Sequence, residues 1–185
     1  YWRLSAEWMD EKWGHSVFSE IVPEAQRELA SALGLADPSR IVFAPNTHEL
    51  VFRVLSTLPW PSPSRPWRIL TSDSEFHSAA RQLARLEEDG LATVRRVPVD
   101  SAGSPWSTFA ARFLGEARAG AENGRPWDAV LVSEVFYNSG LWVREAAREL
   151  DALPESTASR VILDGYHAFM AVPAAMPTRP QRLFY

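Results

Sequence analysis

Apolar positions along the chain fall into short runs separated by turn residues, and two periods alternate. Trp2, Trp8 and Trp13 stand among charges and predict an amphipathic helix from Tyr1 to about Trp13. A second helix is predicted from about Pro23 to Leu33, stopped at Gly34. Ile41-Val42-Phe43 reads as a short first strand, followed by a helix from Thr47 to about Leu58. The stretch Pro59 to Pro66 is a rigid proline-serine connector. Arg68 to Thr71 predicts a second strand and Ser78 to Glu88 a helix, and Thr93 to Val99 alternates as a third strand. Ser107 to Ala119 is helical, Ala129-Val130-Leu131-Val132 is a buried strand, Arg144 to Leu153 is helical, and Arg160 to Leu163 is another buried strand. Short apolar strands alternating with helices imply parallel pairing through helical crossovers. The expected fold class is α/β, a three-layer, parallel-type sheet flanked by helices on both faces. No repeat, low-complexity tail or internal domain boundary interrupts residues 1–185.

Composition narrows this little. The 185 residues are enough for one domain with a real core, and 46% are hydrophobic. The net charge is -4 and the 19 basic residues are scattered, so nothing points to nucleic acid or an anionic membrane. No apolar run is long enough to span a bilayer. The opening Tyr1-Trp2-Arg3 lacks the charged-then-apolar order of a signal peptide. A start without Met and an end on Leu183-Phe184-Tyr185 lead us to expect a chain cut at both ends. Cysteine is absent, which removes disulfides and thiolate chemistry from this stretch and favours the cytoplasm. Lys12 is the only lysine.

In open α/β sheets ligands bind outside the carboxyl ends of the strands, so candidate chemistry is sought there. Ala44-Pro45-Asn46-Thr47 opens a helix, where free N–H groups and the helix dipole suit a phosphate. Asn and Thr are also ordinary caps. In Ser74-Glu75-Phe76-His77-Ser78, Phe76 offers a ring to stack on a flat heterocycle, or else packs in the core while Ser78 caps the next helix. In Ser133 to Gly140, Ser133 offers a donor to a ligand oxygen, and Asn138-Ser139-Gly140 equally reads as a turn. Asp164, in Asp164-Gly165-Tyr166-His167, follows a buried strand. A carboxylate there is costly unless paired. A pyridinium nitrogen, a metal, or His167 itself would each serve. The glycine-rich dinucleotide loop, the Walker loop, the Gly-x-Ser-x-Gly elbow and the His-Glu-x-x-His motif do not occur, and the four histidines show no metal spacing.

Taken in order, Ile41 to Leu50, Ser74 to Ser78, Val132 to Gly140 and Leu163 to His167 resemble the motifs of class V aminotransferase-fold enzymes, which depend on pyridoxal phosphate (PLP). That group includes cysteine desulfurases and kynureninases. The match is nearer the kynureninase side, with Phe76 at the stacking position and an Asp-x-x-His at Asp164 to His167. The resemblance implies a partial large domain of PLP-dependent transferase fold type I. The start of that domain, the Schiff-base lysine segment and the small C-terminal domain would lie outside residues 1–185. It also implies roles: Asn46 and Thr47 at the cofactor phosphate, Phe76 on the pyridine ring, and Ser133 near the ring hydroxyl. Asp164 would pair with the ring nitrogen, and His167 would stand beside the cofactor. Lys12 is not nominated as the Schiff-base lysine. The implied protein is a homodimer acting on an amino-acid substrate, with the tryptophan-rich opening either in the dimer interface or packed on the parent's other parts. Kynurenine-type hydrolysis, transamination, desulfuration and epimerisation remain open. The fragment alone would be inactive. The alternatives are a non-catalytic relative serving binding or assembly, and a nucleotide-binding α/β domain.

Overall fold

A computed structural model describes residues 15–100, 108–122, 124–144, 146–173, 176 and 183–185. The helix expected over Tyr1 to Trp13, Lys12 included, lies outside them. The chain divides into two compact units, 1–43 and 44–185.

In the first unit a π-helical segment, His15–Ile21, leads into α1 (Val22–Leu33). Pro23 near its start suits a helix, because the missing N–H would have had no partner there. Gly34 ends it in the left-handed conformation, φ 68°, where its N–H reaches back to the carbonyls of Ala30 and Ser31. A 3-10 turn over Pro38–Arg40 follows, with the Asp37 carboxylate accepting from the Ser39 N–H.

Ile41-Val42-Phe43 does not form the expected first strand. It has no ladder partner among the described residues, and Val42 and Phe43 are 62% and 43% exposed. Three apolar side chains without a neighbouring strand cannot satisfy a ladder.

The second unit holds α2 (Thr47–Leu55), β1 (Trp67–Ser72), α3 (His77–Glu88), β2 (Ala92–Val97), α4 (Phe109–Glu122), β3 (Trp127–Ser133), α5 (Ala146–Asp151), β4 (Ala158–Asp164) and β5 (Leu183–Phe184). The five strands form one sheet in the order β2-β1-β3-β4-β5, every pair parallel. The three-layer expectation holds. One core joins Val51 and Leu55 of α2 and Ala79 and Leu83 of α3 to Ile69, Ala129, Leu131 and Ile162. The other joins Phe109, Phe113 and Ala117 of α4 and Leu150 of α5 to Leu70, Val130, Val132 and Val161. Alternate residues of one strand thus face opposite cores, which is why β3 reads as a continuous apolar run. No helix among the described residues is long and apolar enough to cross a membrane.

The path of the chain sets where a ligand can enter. From β1 it turns one way, through α3 to the edge strand β2. It then returns through α4, passes β1 and continues through β3, α5 and β4. The loops after β1 and β3 therefore leave on opposite faces, the place where open α/β sheets form their ligand crevice.

Candidate functional site

The ladder between β1 and β3 pairs Ile69 with Ala129 and Leu70 with Val130 and goes no further. Beyond it no further bridge pairs the two strands, and the Glu75 carboxylate stands between their ends. It accepts from the Ser72 hydroxyl at 2.5 Å, the Ser133 hydroxyl at 2.6 Å and the Ser133 N–H at 3.3 Å. Ser133 is thus buried, with its proton given to Glu75. On its other side β3 stays paired with β4, and Ser133 is the register partner of Asp164.

Asp164 closes β4 and takes the Tyr166 N–H on Oδ1 at 2.9 Å, an Asx turn that swings Tyr166 and His167 up from the strand end. Burial raises its pKa, against the opposing pull of the Tyr166 N–H and His167. No group of metal-ligating side chains is present among the described residues, and the bond that Asp164 makes is to backbone rather than to His167.

Gly165 permits a close approach. A Cβ there would stand 2.2 Å from the Tyr185 ring, which packs over it. The Tyr185 hydroxyl bonds to Glu134, the residue after β3, and burial beside Glu134 and Asp164 raises its pKa. Glu134 is itself buried, with its pKa raised by burial and its Oε2 without a hydrogen-bond partner. Glu75 is pushed up to about 7, by burial first, against its three hydrogen bonds and with the Asp164 charge adding to the rise. Three carboxylates therefore meet at this edge, each held toward its neutral form.

Above them lies an aromatic cluster. Phe76 caps α3 through its backbone and is 39% exposed, so it is not a core residue. Ser78 is not the cap, since the helix begins at His77. The Phe76 ring stands 5.3 Å from Tyr137 edge-on and 5.8 Å from His167. His77 lies 5.2 Å from Tyr137. Tyr137 is turned outward by a tight loop in which the Gly140 N–H bonds the Phe136 carbonyl at 2.8 Å, with Gly140 at φ 67°. Phe136 points inward and packs edge-on against Phe109 at 5.3 Å.

Asn46 and Thr47 begin α2. The Asn46 side chain takes the Glu49 N–H at 2.9 Å, so it caps the helix as such residues do. Thr57, just past the end of α2, accepts from Arg160 near the start of β4. The helix therefore runs from the carboxyl edge of the sheet toward its amino edge, and its N-terminus belongs to the edge that carries Asp164.

Phe76, Ser133, Asp164 and His167 thus come together, while Asn46 and Thr47 stand at the same edge without a direct contact to them. Glu75, Glu134, Tyr137 and His77 belong to the site and were quoted in the motifs without a role. For Glu134 the signal was available, an acidic residue directly after a buried strand, as at Asp164.

No family model and no curated protein matches the sequence. The fold is similar to that of the cystine C-S lyase C-DES, solved with its reaction product cysteine persulfide. The two share 21% identity over 91% of this chain and 41% of that one, with a TM-score of 0.64. A lysine-to-alanine mutant of C-DES, with glycine covalently linked to the PLP cofactor, gives the same values. The apo cysteine desulfurase of Thermococcus onnurineus NA1 shares 18% identity over 85% of this chain and 35% of that one, with a TM-score of 0.54. The chain thus spans less than half the length of these proteins.

Proposed function

We propose that this chain is part of the cofactor-binding large domain of a PLP-dependent enzyme acting on an amino acid. The observation that carries the reading is Asp164. Its carboxylate ends a buried strand, has its pKa raised by burial, and stands three residues before His167, whose ring meets the exposed Phe76. A protonated ring nitrogen would supply the missing partner and hold Asp164 ionised. The other groups fit the same molecule. Phe76 offers an open ring face, and the first N–H groups of α2 suit a phosphate. Ser133, having donated its proton to Glu75, would meet a ring hydroxyl as an acceptor.

When bound, PLP supplies an electron sink for carbanion chemistry at the substrate. The chain's part is to hold that sink electron-poor. Asp164 keeps the ring nitrogen protonated, and Phe76 and Tyr137 exclude water from one face of the ring. His167, held on the Asx turn, stands where it can take or give a proton. The Phe76 and Asp164-to-His167 pattern favours a kynureninase-like branch. C-DES and the Thermococcus protein are similar in fold, which keeps desulfuration as a second proposed branch. The working protein is proposed to be a homodimer.

Deoxypyridoxine phosphate, which has no aldehyde and so cannot react with Lys12, is the probe for this chain. It is expected to bind and quench tryptophan fluorescence, and Asp164→Asn to weaken it about tenfold. Equal affinity in mutant and parent would remove the pyridinium role. In the native protein, borohydride treatment with PLP is expected to add the mass of one reduced cofactor. Absence of that adduct would leave a binding or assembly module instead.

A further inference from the structure

Glu75 is a fully buried carboxylate that the reading above does not use. A buried carboxylate persists only where its partners are good, and here they are specific. Past Leu70 and Val130 the β1–β3 ladder has stopped, so the Ser133 N–H has no β1 carbonyl to meet. Glu75 Oε1 takes that N–H at 3.3 Å and the Ser72 hydroxyl at 2.5 Å, and Oε2 takes the Ser133 hydroxyl at 2.6 Å. One side chain therefore ties together the ends of β1 and β3 past their last bridge. The next residue is Phe76, at the start of α3, where no side chain caps the helix. The Phe76 backbone thus leaves directly from the anchored Glu75, and its ring meets Tyr137 on the loop after β3 and His167 on the loop after β4.

The geometry points to Glu75 as a positioning residue: by bridging Ser72 and Ser133 where the β1–β3 ladder has stopped, it sets where the Phe76 ring and the Ser133 oxygen stand in the site. The ligand-binding half of this inference rests on the PLP reading; the placement of Phe76 does not. Without Glu75 the Ser133 proton is released to turn toward the ligand, and the Phe76 loop loses its attachment to β3.

The test compares Glu75→Ala with Glu75→Gln in the full chain. Gln spans the same gap, its oxygen accepting from one hydroxyl and its amide donating to the other. Two readouts are taken: nuclear Overhauser contacts between the Phe76 and Tyr137 rings, and the affinity for deoxypyridoxine phosphate. Glu75→Ala is expected to lose the ring contact and about tenfold in affinity, and Glu75→Gln to keep the contact and stay within about threefold. Retention of the ring contact in Glu75→Ala overturns the proposal. So does a Gln variant as impaired as the Ala variant, since the bridge would then not be what matters. If the unmutated chain binds no probe, the cofactor reading falls, and the ring contact alone decides the role of Glu75. If Glu75→Ala does not fold, Ser72→Ala removes one donor from the same carboxylate away from the ligand. It is expected to weaken the Phe76–Tyr137 contact, and an unchanged contact there overturns the proposal.

Discussion

Met170 has a left-handed backbone, φ 61°, with no other non-glycine residue doing so among the described ones, and its side chain is 78% exposed. An L-residue pays roughly 1–2 kcal/mol for that conformation, and an exposed side chain recovers little of it by burial. It lies inside the second of two successive turns, in which Ala168 and Phe169 donate to the Gly165 carbonyl and Ala171 and Val172 to the Ala168 carbonyl. Glycine would remove the strain but would cost roughly 0.5–1 kcal/mol in unfolded-chain entropy. Met170→Gly should therefore stabilise the protein by about 0.5–1 kcal/mol, measured by denaturant unfolding. A loss of stability would show that the methionine has a contact worth more than its strain. The strain was invisible in the sequence, because nothing in Phe169-Met170-Ala171 asks for a positive φ. Asp164 was legible for the opposite reason, since a carboxylate directly after three apolar residues, Val161 to Leu163, is expensive wherever it lies. Glu75 was not. It sits among polar loop residues and turns inward only because Ser133, 58 positions later, is there to meet it.

At the scale of elements, the strands that lie inside the sheet were the easiest to read. Trp127 to Ser133 and Ala158 to Asp164 extend the expected runs by two residues at the start and one at the end, and all but one of the added residues are polar or aromatic. Asp128, for example, takes the Arg68 N–H at 2.8 Å and Arg125 at 3.2 Å. Ile41 to Phe43 misled because a strand is a property of a pair, and an apolar triplet carries no information about its partner. Helix starts at Pro23 and Ser78 were read to within one residue, whereas the helix expected to run to about Leu58 ends at Leu55, with no glycine or proline to mark that end. One element contact is close enough to test. Gly120 of α4 faces Trp127 of β3, and a Cβ would come within 2.3 Å of its ring. The indole cannot move aside freely, since its N–H is held by the Ala117 carbonyl at 3.1 Å and the Arg68 guanidinium lies 4.5 Å above it. Gly120→Ala should therefore push the helix off the strand and cost about 1–3 kcal/mol, despite the better helix propensity of alanine. An unchanged melting temperature would mean that the helix slides along the sheet at no cost.

At the scale of the whole molecule, the strand order concentrates unfavourable charge at one edge. Glu75, Glu134 and Asp164 follow three strands that lie side by side, and burial raises the pKa of each. The alternation of the chain foretold the parallel sheet and the edge where ligands bind, but not that the edge would be acidic within, because that depends on which strands become neighbours. The consequence for stability has a definite sign. Glu75 has its ordinary value of 4.5 when unfolded and about 7 when folded. Below pH 4.5 both states hold the proton. Between 4.5 and 7 the unfolded chain gives it up while the folded chain keeps it, so stability falls as pH rises. Above 7 both have lost it, and the loss, on the order of 3 kcal/mol from this group, is complete. Glu134 and Asp164 act in the same direction. Asp37 and Glu116 have lowered values and lose their contribution only as pH falls below the ordinary carboxylate range, outside this window. The melting temperature should therefore be highest near pH 5 and fall toward pH 8, with Glu75→Gln flattening much of the slope. A melting temperature that stays level or rises between those values would mean that Glu75 is already ionised and fully served by its serines. Its place at the crevice would then be an anion held by hydroxyls, and the proton at this edge would have to be sought on Glu134 or Asp164.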